Sequence, residues 1–77
     1  MRRPRLRRFI VTIPPDNSIP PVPGGYYLNI YAKHLAAAQA AADRVAPGAW
    51  GFCHRAEDLT RKDLAAICPK GLWATIR

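Results

Sequence analysis

Cys53 and His54 stand side by side, and with His34 and Cys68 they are the whole thiol and imidazole inventory of the chain. A nucleophilic thiolate needs an imidazole within hydrogen-bond reach, yet neighbours on an extended strand point to opposite faces. The adjacency therefore separates the pair, and Cys53 reads as a small buried hydrophobe. A structural zinc site needs closely spaced donors, but fourteen residues lie between Cys53 and Cys68 and no CxxC or HxxxH pair occurs. Ser18, the only serine, sits among prolines without a glycine elbow, which argues against acyl transfer. Gly24-Gly25 precedes an expected strand and has no helix dipole behind it, so it does not cradle phosphate. Glu57 and Asp58 fall near a helix start, where acidic residues complement the dipole. No catalytic residue, cofactor or metal is expected, and the chain reads as a non-enzyme.

Binding chemistry is better represented. Lys and Arg total 12 against 5 Asp and Glu, a net charge of +7, and Arg2, Arg3, Arg5, Arg7 and Arg8 supply most of that excess. Nine of the basic residues are arginine, whose planar fork pairs bidentately with phosphate or carboxylate. A basic arm on a nearly neutral body suits nucleic acid or an acidic protein surface, and equally a solubilising terminus. Tyr27 and Tyr31 are expected on the outer face of a strand, where they could stack bases or pack beneath a loop. Ile19 and Val22 lie in a proline-rich segment that could offer apolar contacts at low ordering cost.

The elements that must position these groups follow from the pattern. Phe9-Ile-Val-Thr-Ile13 is β-branched and aromatic and stops at Pro14-Pro15, a first strand. Residues 14–25 carry the proline-rich loop. Tyr26 to Tyr31 alternates Tyr26, Leu28 and Ile30 against Tyr27, Asn29 and Tyr31, a second strand with the first set facing the core. Lys33 to Ala46 is an alanine-rich helix with an expected apolar stripe of Leu35, Ala38, Ala42 and Val45, ended by Pro47-Gly48. Ala49 to Arg55 alternates as a third strand. Thr60, with Asp63 three residues on, starts a short helix that ends at Pro69, and Leu72 to Ile76 forms a last strand. The expected order is β-β-α-β-α-β: a small, mostly antiparallel α+β sheet of about four strands with two helices packed on one side.

Seventy-seven residues make one small domain, 9–77, behind a basic arm, 1–8. Hydrophobic residues at 49% suffice for a core, though a core of this size is small. The strand-like run Phe9 to Ile13 is interrupted by Thr12 and falls short of a secretory or membrane-spanning segment. No membrane partner is therefore expected, and two cysteines, too few for a disulfide framework, point to a reducing cytoplasm.

The aromatic strand, alanine-rich helix, Pro-Gly stop and second aromatic strand between Tyr26 and Arg55 resemble the small α+β proteins of bacteriophages and mobile elements, among them the anti-CRISPR inhibitors. The resemblance is one of pattern and carries over no functional residue. It implies a compact inhibitor in a bacterial cytoplasm that binds a host surveillance complex. Many such inhibitors are acidic DNA mimics, which a +7 chain cannot be. The expected partner is therefore a host protein or ribonucleoprotein complex, with nucleic acid reachable through the arm. Direct binding of DNA or RNA as an accessory protein is the alternative.

Overall fold

Arg7–Ile13 forms strand β1, and the sheet is built around it. The computed structural model describes residues 5–14 and 25–77. After β1 come β2 (Tyr26–Ala32), α1 (Leu35–Val45), β3 (Cys53–Arg55), a 3₁₀ turn (Ala56–Asp58), α2 (Arg61–Ile67) and β4 (Leu72–Ile76). The strands lie in the order β3-β1-β2-β4, a four-stranded α+β sheet. β1 runs antiparallel to both β2 and β3, whereas β2 and β4 are parallel. Since β2, β3 and β4 then share a direction, each connection between them is a crossover, and α1 and α2 are those crossovers.

One face of the sheet holds the core. Phe9, Val11 and Ile13 of β1 meet Leu28, Ile30 and Ala32 of β2 beneath Ala38, Ala41, Ala42 and Ala46. The register pairs Phe9 with Ile30 and Val11 with Leu28, so the apolar residues stack directly across strands. Ala74 and Ile76 extend this face from β4, and Trp50 and Cys53 close it on the β3 side.

Helix α1 buries Ala38 and Ala42 of the expected stripe but not Leu35 and Val45. Ala38, Ala41 and Ala42 face the sheet, while Leu35 and Val45 are 36% and 38% exposed. Methyl side chains let the helix approach the strands closely, and the bulkier residues fall to its flanks. His34 caps the N-terminus, its Nδ1 accepting from the Ala37 N–H at 3.1 Å. The Ala46 N–H donates to the Ala42 carbonyl at 2.8 Å and ends the helix, after which Gly48 turns the chain at φ 70°.

β3 is much shorter than the expected strand from Ala49, and Thr12 is the cause. Its carbonyl accepts from Gly51 N–H at 2.8 Å, its N–H donates to the Phe52 carbonyl at 2.9 Å, and its Oγ1 accepts from Phe52 N–H at 2.9 Å. A side-chain oxygen thus takes a bond that a regular ladder would give to backbone, and 50–52 follow β1 without strand geometry. α2 opens on a complete capping box: Thr60 Oγ1 accepts from Asp63 N–H at 3.1 Å, and Asp63 Oδ2 accepts from Thr60 N–H at 3.3 Å. Gly71, at φ 86°, turns the chain into β4. β4 occupies the span expected for it. The β2/β4 register is irregular between Tyr27 and Leu28, and on this edge strand Leu72 and Trp73 are about half exposed. No helix among the described residues is long and apolar enough to cross a membrane.

Candidate functional site

Strand directions gather the basic residues. β1 starts at the end of the sheet where β2, β3 and β4 finish, so Arg7 and Arg8 share that end with Tyr31, Arg55 and Arg77. Arg7 and Arg8 are therefore sheet residues: β1 begins two residues before the expected Phe9, pairing Arg7 with Ala32 and Arg8 with Tyr31. All four arginines are exposed, as a charged row at a sheet end must be. Exposed Arg5 precedes the row, and exposed Lys33 follows β2 at the same end.

Two local arrangements define this end. On the β1/β3 side, Arg7, Arg8, Phe9, Arg55, Ala56 and Glu57 line a cleft of about 260 Å³. Three arginines and one glutamate are among these residues, so the cleft keeps a positive balance, with Arg7 and Arg55 on the Phe9 face of the strands and Arg8 on the Tyr31 face. On the β2/β4 side, the Arg77 guanidinium carbon lies 5.1 Å from the centroid of the Tyr31 ring, inside the range of a cation–π contact. Arg8 joins the two, because it lines the cleft and is also the cross-strand partner of Tyr31.

Of the residues singled out by sequence, Arg5, Arg7, Arg8, Tyr27 and Tyr31 are described, while Arg2, Arg3, Ile19 and Val22 lie outside the described residues. Tyr27 and Tyr31 are both half-buried on the outer face of β2, but they do not act together. Tyr27 lies at the opposite end of the strand, in a groove with Arg61, Leu64, Ala65, Cys68, Pro69 and Gly71. Between them the outer face is closed: Ile10 is 1% and Thr12 3% exposed, and Asn29 Oδ1 is buried without a partner among the described residues. Arg55 and Arg77 are the residues that sequence reasoning missed. Each is an isolated arginine in the sequence, and only the strand order brings it to the same sheet end as Arg8.

Cys53 packs against the core from the β3 side and Cys68 is buried after α2, both as free thiols. Burial pushes both thiols above their ordinary value. His54 instead sits on the side of Ile10, its ring 5.9 Å from that of Phe52. Among the described residues, no three His, Cys, Asp or Glu side chains gather as a metal ion would require. Compared with known proteins, the chain matches no family model, no curated protein and no solved structure.

Proposed function

We propose that this protein is a non-enzymatic inhibitor or adaptor that docks through its basic sheet end on an anionic surface of a bacterial host protein or nucleoprotein complex. The observation that carries this reading is the gathering of Arg7 and Arg8 from β1, Arg55 from β3 and Arg77 from just beyond β4 at one end of the sheet. Surface arginines placed only for solubility would be spread, whereas a one-sided cluster orients the molecule toward negative charge and speeds encounter. The anti-CRISPR resemblance supplies the class of partner, a surveillance complex in the cytoplasm of a bacterial host.

The test is a capture experiment from bacterial lysate with tagged wild-type protein and with the R7Q/R8Q/R55Q/R77Q variant, repeated after nuclease treatment. Wild-type protein retains a defined host complex at low salt, and the variant loses it while keeping its fold. Retention of the same proteins by both removes the basic end from the binding site.

A further inference from the structure

We infer that the group engaged at the basic end is single-stranded nucleic acid, with backbone phosphate in the Arg7, Arg8 and Arg55 cleft and a base stacked at the Tyr31 and Arg77 pair. This rests on the proposed docking at that end and names what docks there.

The residue types favour a nucleic acid over an acidic protein. Carboxylates and phosphates both satisfy arginine forks, so the cleft alone does not discriminate. The Tyr31 and Arg77 pair does, because an aromatic ring with a guanidinium 5.1 Å from its centroid offers flat, polarisable surface, which suits a nucleobase and is wasted on a carboxylate. The size of the cleft agrees. At about 260 Å³ it has room for a phosphate group.

The dimensions also fit a strand laid across the sheet end. Arg55, Arg8, Tyr31 and Arg77 follow the strand order β3-β1-β2-β4, and neighbouring strands lie about 4.8 Å apart, so the track is roughly 14 Å long. Phosphate sites on one half and a stacking site on the other match the alternation of backbone and base in a single strand. A duplex fits less well. A major-groove reader inserts a helix or a two-stranded ribbon; α1 exposes one basic residue, Arg44, and the exposed Arg61 and Lys62 belong to the short α2, whose Arg61 lies by Tyr27 at the opposite end of β2 from Tyr31.

The experiment measures fluorescence anisotropy of a labelled single-stranded RNA, the same sequence as DNA, the matched duplex and a labelled poly-glutamate peptide, each titrated with the full chain at several salt concentrations. Single strands bind more tightly than duplex, and R8Q and R55Q each make the slope of log K against log salt shallower by about 0.7, the value of one single-strand phosphate. Y31L weakens binding about tenfold with little change in slope, the scale of one stacked base, and Y31F restores it. Unchanged melting temperatures in these variants assign the losses to contacts. Equal or tighter duplex binding, or Y31L binding like wild type, overturns the inference. Arg-dependent binding of poly-glutamate without binding of either single strand overturns it while leaving the docking end intact. If neither probe binds and lysate capture is empty, both readings fall.

Discussion

The indole N–H of Trp50 donates to the Asp43 carboxylate at 2.7 Å, tying the last turn of α1 to the segment that leads into β3. Trp50 also packs on the core, so this bond fixes the angle at which the chain leaves the helix. Asp43→Ala is expected to cost about 1 kcal/mol in urea unfolding, the usual net value of such a bond, while Asp43→Asn keeps an acceptor and most of the stability. Equal losses in both variants would show that charge, and not the bond, matters.

Thr12 offers a second test, because its hydroxyl is buried and accepts from the Phe52 N–H at 2.9 Å. Thr12→Val keeps the shape and removes the acceptor, leaving a backbone donor unpaired. The expected cost is about 1–3 kcal/mol, with Thr12→Ser recovering the part due to the oxygen. Hydrogen exchange at the Phe52 amide should accelerate in the valine variant alone.

The alanine face of α1 predicts an asymmetry. Ala38 and Ala42 are fully buried against the sheet, so Ala42→Leu should cost about 1–3 kcal/mol by overpacking. Leu35→Ala and Val45→Ala, at partly exposed positions, should each cost less than the burial value of a core leucine, about 2 kcal/mol or more. Thermal melts of the three variants check the order.

Gly25 lies where β2 begins, and a Cβ there would run into the Ile13 carbonyl and the Pro14 backbone. Rigid backbone on both sides leaves no side chain to yield. Gly25→Ala should therefore cost about 3 kcal/mol or more and disturb the β1/β2 register, visible as shifted amide resonances along both strands.

The buried thiols predict a pH dependence. Cys53 and Cys68 are held above the ordinary thiol value of 9.0 by desolvation, so the folded state binds their protons more tightly than the unfolded chain does. Their contribution is complete below that value and declines as pH rises beyond it. The C53V/C68A variant should lose less stability than wild type between neutral and strongly alkaline pH, measured by urea unfolding across that range.

Local chemistry was legible in the sequence where the signal was itself local. The alternation of Tyr26 to Tyr31, the Thr60 and Asp63 capping pair and the β4 run each depend on residues a few positions apart, and each formed as expected except that Tyr26, expected on the core face with Leu28 and Ile30, is 40% exposed at the start of β2. The α1 stripe was right at Ala38 and Ala42 and misread at its ends, because Leu35 and Val45 outrank alanine in hydrophobicity while close packing on a sheet selects for small volume. β3 was overestimated because alternation of Trp50, Phe52 and His54 does not reveal that the Thr12 hydroxyl will intercept the ladder. The basic end was half legible: Arg7 and Arg8 stand out as part of a run, but Arg55 and Arg77 gain meaning only from strand order, which is a non-local property.

The parallel pairing of β4 with β2 has a consequence for the timing of assembly. β1 and β2 are successive strands, whereas β4 must return past α1, β3 and α2 before it can register on β2. The entropy of closing that larger loop has to be overcome before the pairing stabilises anything. Arg77 reaches Tyr31 only through this final closure. A chain that has paired β1 with β2 but not yet β4 thus carries Arg7 and Arg8 without the Arg77 and Tyr31 contact, and that contact becomes a signature of completed folding.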